Sequence, residues 1–370
     1  MLIGKIMGIS SISFDGRYFM KKKVVFLTKC KVGDVIAEDL YNGEGILVAP
    51  RNTVLSSNNI NRLIEMGFVN AEVFTSNELH SPEAEVFTKH REYVIKYEHK
   101  LKGVKDMLAG IATGNPLNLR ALDQISDAVY SDYKNKDSIL KCLLEMKETD
   151  NYTYTHSLNV SLYAMLASKW LGLGDEKTKE LVKCGLLHDV GKMKIPLEIL
   201  NKKQKLEDWE FEEIKKHSVI GYKLLENLSD VAPCIKMVIL HHHERIDGSG
   251  YPYGLLGEEI DYYSKVIAVC DAYDAITSTR VYKPRRNPFD TFKIFENTGY
   301  GHFDYTIMNN FLQHIAVYYI GSQIVLSNGM QGEVVSVLPG SICNPIIKLN
   351  DEYINLSERS ELKIIDLKKK

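Results

Sequence analysis

GLLHDVGK, residues 185–192, is the stretch on which the reading of this chain turns. An apolar helical run presents His188 and Asp189 side by side and then meets Gly191, the residue type that most often closes a helix. An imidazole and an ionised carboxylate are costly to take out of water together. A hydrogen bond between them, capping the helix, satisfies them in part, whereas a divalent cation satisfies both. The neighbouring sequence has to choose between these two readings.

Six of the eleven histidines lie between positions 156 and 243. HHHERIDGSGYP, residues 241–252, places three in a row at the end of an apolar helix, followed by a glycine-rich loop. Successive side chains on a helix diverge by about 100°, so adjacent histidines can converge on one point only where the backbone turns. In VIAVCDAYDAITSTRVYKP, residues 266–284, Asp271 and Asp274 interrupt an apolar helix and share a face. Arg280, Lys283, Arg285 and Arg286 follow, which reads either as a solvated helix end or, beside a metal centre, as a clamp on phosphodiester oxygens. His156 in NYTYTHSLNV and His217 in EIKKHSVIGYKLL each open a helical periodicity and can face inward. A donor set of nitrogen and oxygen without thiolate suits iron, manganese or zinc better than magnesium or calcium.

Around this centre the 370 residues, 45% hydrophobic and 25% charged, suffice for two or three domains. A net charge of −2 argues against bulk electrostatic binding to DNA. No apolar run approaches the ~18 residues that span a bilayer, so no membrane anchor is expected. The KKKVVFL stretch at 21–27 is too short for a signal peptide. Six scattered cysteines without a CxxC pair read as reduced thiols, and the expected location is cytoplasmic.

The expected fold is mainly α: an all-helical domain flanked by a small N-terminal α+β module and a small C-terminal β module. The first module takes residues 1–82, with 1–19 weakly organised and one helix at 58–66. A connecting helix covers 83–116. The helical domain, 117–319, reads as segments 118–131, 136–148, 153–171, 176–190, 207–227, 231–242, 262–279, 289–298 and 304–318. In the β module, 320–370, Asn328-Gly329 favours a type I′ hairpin turn.

With these motifs in place, residues 151–310 closely resemble the HD-GYP domain, a branch of the HD metal-dependent phosphohydrolases. The resemblance rests on HSLNV, GLLHDVGKMKIP, LHHHERIDGSGYP and CDAYDAITSTRVYK, in the family's order and spacing. It implies metals held by His156, His188, Asp189, His217, His242, His243 and Asp271. One cation would take His156, His188, Asp189 and Asp271; the second would share Asp189 as a bridge and add His217, His242 and His243, with His241 a bystander. Lys192 is implied to act with Asp189 near the attacking water and phosphate, Arg280 and Lys283 to grip the substrate phosphates, and Tyr251 either to meet a base or partner or to hold the loop. Members with three metals carry a glutamate four residues before the first ligand histidine. Here that position is Tyr152, with Asp150 nearby, so two divalent ions, iron or manganese, are expected rather than three. The implied activity is hydrolysis of cyclic di-GMP to pGpG, with a second cut to GMP left open. Two alternatives stay open: a phosphodiesterase for another cyclic dinucleotide such as cyclic GMP-AMP, and a weakly catalytic adaptor binding a cyclic dinucleotide or a diguanylate cyclase. A homodimer is open as well.

Overall fold

In a computed structural model of the chain the described residues are 22–74, 82–133, 143, 152–202, 204–278 and 287–368. They divide between Glu92 and Tyr93 into two compact units. The first is built from short β-branched runs. Strand β1 (Lys22–Phe26), the short pair β2 (Leu40–Tyr41) and β3 (Leu47–Ala49), helix α1 (Ser57–Glu65) and strand β4 (Asn70–Phe74) follow in order. β1 pairs antiparallel with β4, and Leu27, Ile36, Leu55, Leu63 and Val73 form the core. Ser56 Oγ accepts from Asn59 N and caps α1, a contact worth about 1 kcal/mol.

Helix α2 (Pro82–Ala112) leads into the second unit, where α3 (Leu119–Tyr133), α4 (Tyr152–Trp170) and α5 (Asp175–Leu187) follow. The segments 136–142 and 144–148, and Asp150, lie outside the described residues. α4 carries buried side chains all round (Leu158, Val160, Leu162, Tyr163, Met165), as a central helix must. α5 crosses it at Gly185, where a Cβ would stand 2.5 Å from Ser161 Cα. Only glycine permits that approach. Beyond α5 come α6 (Leu197–Leu200), α7 (Asp208–Lys215), α8 (His217–Leu225), α9 (Pro233–His241), α10 (Tyr262–Thr277), α11 (Pro288–Ile294), α12 (Tyr300–His302) and α13 (Tyr305–Val317).

Three segments that read as single helices are broken, and two of the breaks sit at the histidines. The 176–190 segment closes at Leu187; Asp189 leaves helical geometry (φ −99°, ψ 12°) and residues Val190–Lys194 tighten into a 3₁₀ turn. The 207–227 segment separates into α7 and α8 at Lys216, which keeps right-handed helical dihedrals, so the apolar periodicity runs through the break unseen. The 289–298 segment passes from α11 into a π-helical turn at Phe295–Gly299.

The chain ends in a five-stranded antiparallel sheet of β5 (Gln323–Leu326), β6 (Gln331–Ser336), β7 (Ile346–Leu349), β8 (Glu352–Asn355) and β9 (Ile364–Lys368), in spatial order β8-β7-β6-β5-β9. It is tied to the helices by Asn287, whose Nδ2 donates to Ile364 O at 2.6 Å. The β5–β6 hairpin turns at Asn328-Gly329, but only Gly329 takes positive φ (82°), and Leu326 O accepts from Gly329 N. A type I′ turn needs two left-handed residues, so that expectation is corrected: the turn closes through a single left-handed glycine, Gly329. The fold is thus mainly α, with strand-containing regions at both ends. Among the described residues no helix is long and apolar enough to cross a membrane.

Candidate metal centre

Asp189 stands where α5 has just ended, and that break turns its carboxylate into the middle of the second unit, 2% exposed. Its two oxygens face different groups. Oδ2 lies 3.3 Å from His188 Nε2 and 3.6 Å from His156 Nε2. Oδ1 lies 3.2 Å from His217 Nε2 and 3.6 Å from His242 Nε2. Asp271, from the middle of α10, adds Oδ1 at 3.0 Å from His156 Nε2 and Oδ2 at 3.7 Å from His243 Nδ1. Two sets of donor atoms therefore share Asp189: one with His156 and His188, the other with His217, His242 and His243.

Close packing makes the convergence possible. A Cβ on Gly191 would stand 1.9 Å from His217 O and 2.7 Å from Gly221 N, and one on Gly221 would stand 2.7 Å from Ile239 Cγ2. The 3₁₀ turn, α8 and α9 thus meet at glycines, bringing ligands from three elements to one carboxylate. His241 points elsewhere, with Nδ1 3.5 Å from Asp261 Oδ2.

The hydrogen bonds behind the rings decide which nitrogens are available. His188 Nδ1 donates to Gly185 O (2.9 Å), His217 Nδ1 to Ile214 O (2.6 Å) and His242 Nδ1 to Val238 O (3.1 Å). Each bond fixes the tautomer and leaves an Nε2 lone pair facing inward. His217 and His242 then point bare nitrogens at each other across 3.3 Å, beside Asp189 Oδ1, a buried oxygen without a hydrogen-bond partner. His188 and His156 Nε2 atoms also approach to 3.3 Å. Two bare nitrogens at the distance between His217 and His242 repel unless a cation lies between them, so that set fits a metal ion; the other set gathers the same kinds of donor, His156 and His188 beside Asp189 Oδ2, and fits one once His156 gives up its proton.

The electrostatics agree. Burial would raise the Asp189 carboxyl, but Lys192, with Nζ 2.5 Å from Oδ2, and His188 hold it well below the usual carboxylate range. Burial also raises Asp271, and His156 and His243 more than offset it. Burial opposes a charge on His156, yet Asp271 and Asp274 at its two nitrogens lift it to about 9. For His242 burial wins over Asp189 and lowers it to about 4; burial and His242 push His243 down as well.

Asp274 is where a reading from the sequence needs refinement. It shares a helix face with Asp271, but its Oδ2 takes His156 Nδ1 at 2.8 Å, while Oδ1 accepts from Asn159 Nδ2 (3.1 Å) and Ser278 Oγ (3.0 Å). It holds a ligand in place. Glu244, buried, accepts from Tyr253 N (2.7 Å) and Leu255 N (3.0 Å) and so anchors the loop after the histidines. Gly250 lies against that anchor; its Cβ would meet Glu244 Cα at 2.4 Å. Tyr251 stacks on His243, with ring centroids 4.6 Å apart. A cleft of about 320 Å³ opens over the centre, lined among others by Lys192, His217, His243, Arg245, Tyr251 and Asp271. Asn159, Glu244 and Arg245 were not singled out from the sequence, although the first two are signalled by a polar residue one turn from His156 and an acid directly after the histidine run. Arg280 and Lys283 lie outside the described residues, and the side chain of Tyr152 is not described.

Residues 139–307 match the HD domain family. The matched stretch takes in every residue of the centre, from His156 to Asp271, together with the Gly250-Tyr251-Pro252 loop beside it. A protein named cyclic di-GMP phosphodiesterase PA4108, from Pseudomonas aeruginosa, is 35% identical over 246 residues, which is 66% of this chain and 59% of that protein. A protein named 3'3'-cGAMP-specific phosphodiesterase 1, from Vibrio cholerae, is 39% identical over 132 residues, 36% of this chain and 30% of that protein. The chain thus spans less than two thirds of either relative's length. A solved structure of Bd1817, an HDGYP protein from Bdellovibrio bacteriovorus, shares the fold with a TM-score of 0.54 and 16% identity, covering 79% of this chain and 98% of that one.

Proposed function

We propose that the chain is a metal-dependent phosphodiesterase that opens cyclic di-GMP to pGpG, a product that a second cut would convert to GMP, using two divalent ions of iron or manganese. The observation that carries this reading is the divided carboxylate of Asp189, with one oxygen toward His156 and His188 and the other toward His217 and His242. His156, His188, Asp189 and Asp271 would hold one ion, and Asp189, His217, His242 and His243 the other. When bound, such a pair supplies Lewis acidity, acidifying water near neutral pH and neutralising charge on a phosphodiester. Tyr152, where a third site would call for glutamate, supports two ions rather than three.

Lys192, held beside Asp189, puts an ammonium at the floor of the cleft where charge develops on the equatorial phosphate oxygens. Tyr251 forms a wall on which a nucleoside can rest. Arg280 and Lys283 are assigned to the substrate phosphates. The named activity of the Pseudomonas relative supports cyclic di-GMP as substrate; that of the Vibrio relative favours cyclic GMP-AMP as a second reading. Diguanylate cyclase as a binding partner and a homodimer belong to the same reading, and co-purification and sedimentation test them.

The deciding experiment is anaerobic purification with metal analysis, followed by product assay on a panel of cyclic dinucleotides. The expected result is two ions per chain and pGpG from cyclic di-GMP. Preferential turnover of cyclic GMP-AMP transfers the substrate assignment to the second reading. A metal-loaded protein that binds cyclic dinucleotides but cleaves none is an adaptor, and the enzymatic reading falls.

A further inference from the structure

We propose that Arg245 is a substrate-binding residue, whose guanidinium forms a cationic wall of the metal cleft and takes a phosphate of the bound nucleotide. The inference rests on the reading above that the cleft receives a phosphodiester. Arg245 follows the ligand His243 by two positions, where α9 has ended and the chain enters the Gly250-Tyr251-Pro252 loop. It lines the cleft together with Lys192, His217, Tyr251 and Asp271. Its guanidinium lies over the Phe303 ring, 4.8 Å from the centroid, which fixes the plane of the group.

The hydrogen bonds of that group are lopsided. Nη1 donates to His242 O (3.3 Å) and Glu244 O (2.9 Å), the carbonyls of its own turn. An arginine carries five N–H donors, so the three on Nε and Nη2 are not used by these bonds. The acids that could pair with it are engaged elsewhere: Glu244 with Tyr253 N and Leu255 N, Asp247 with Ser249, Asp271 with His156. Among the described residues no carboxylate oxygen comes within the 4.0 Å of an ion pair. A half-buried guanidinium without an acid is expensive unless an anion arrives. Its planar fork matches two oxygens of one phosphate, a geometry that the point charge of Lys192 cannot supply.

A purely bracing role would also use Nη1, because a cation near the carbonyls that end a helix is favourable. The two roles separate in Arg245→Met, which keeps apolar contact with Phe303 and loses the donors, and Arg245→Lys, which keeps the charge and loses the fork. Metal content, thermal melting, calorimetric binding of inorganic phosphate to the metal-loaded protein, and kcat/KM on cyclic di-GMP are measured for each. Expected for Arg245→Met are wild-type metal content and melting, phosphate binding weaker by about 10- to 100-fold, and a loss of kcat/KM of that order carried mainly by KM. Arg245→Lys should recover part of the phosphate affinity. Unchanged phosphate binding in Arg245→Met overturns the inference, as does loss of metal from both variants, which assigns Arg245 to bracing. If the wild-type protein cleaves no cyclic dinucleotide while Arg245→Met still loses phosphate affinity, the anion site stands and the proposed substrate falls. With an active wild type and normal phosphate binding in Arg245→Met, the inference falls alone.

Discussion

The two halves of the centre use the same kinds of ligand but hold them differently. In the half around His156 and His188, the His156 ring is gripped by carboxylates on both nitrogens, Asp271 on one side and Asp274 on the other. In the half around His217 and His242 the rings lean on main-chain carbonyls of Ile214, Val238 and Ile239. The consequence is protonic. Without metal, His156 is lifted to about 9 and carries a proton at neutral pH, whereas His242, lowered to about 4, is neutral and ready to ligate. An ion held by His156 would have to displace a proton from that ring, whereas His242 has none to release.

Asp189→Asn should break the comparison most severely, because one residue serves both halves. Both ions should be lost in metal analysis and hydrolysis should fall by about 10³-fold or more. Retention of one full equivalent of metal would mean that the halves do not depend on a shared carboxylate. Gly191→Ala comes next. Its methyl group would collide with His217 O at 1.9 Å and push α8 away, costing about 3 kcal/mol in a thermal or urea melt. The half containing His217 should lose its ion while the other keeps one; equal loss from both would show a single cooperative site.

Asp274→Asn sharpens the comparison from the other side, since it loosens only His156. Metal affinity in that half should weaken by about 10- to 100-fold, with the His217 half unchanged, as read by competitive chelator titration. The smallest effect is the pH dependence. Uptake into the His156 half should weaken as pH falls below about 9, by at most about tenfold per unit, while the His242 ring stays competent down to about 4. For the metal-free protein the signs are opposite. His156, raised in the fold, contributes stability below its ordinary value of 6.5 that is lost as pH rises through about 9; His242, lowered in the fold, contributes above 6.5 and loses it as pH falls through about 4. Melts of chelated protein should therefore be highest near pH 6.5 and decline on both sides. A monotonic profile would contradict the protonation states assigned to the two halves.

The all-helical middle, the strand-containing ends and the ligand-bearing motifs were legible because each depends on local pattern. A histidine beside an aspartate at the end of an apolar run is informative wherever the rest of the chain goes, and so is a histidine run before a glycine-rich loop. The helix end near Gly191 was legible to within a few residues, whereas the break at Lys216 was not, because that residue keeps right-handed helical dihedrals and leaves the apolar period intact. Spacing alone did not separate Asp271 from Asp274, three residues apart on one face; the family resemblance picked out Asp271, and the structure adds why, with Asp271 reaching the centre and Asp274 the far nitrogen of His156.

By itself, then, the sequence determined the class of fold and the inventory of donors, since hydrophobic period and residue chemistry are properties of the chain taken a few residues at a time. Tertiary structure decided how that inventory is used: which oxygen of Asp189 faces which histidines, which ring nitrogens are left bare, and which carbonyls the Arg245 guanidinium meets. Those choices depend on contacts such as Gly191 against His217 and Asp274 against His156, which join residues 26 and 118 positions apart. Only packing brings them together.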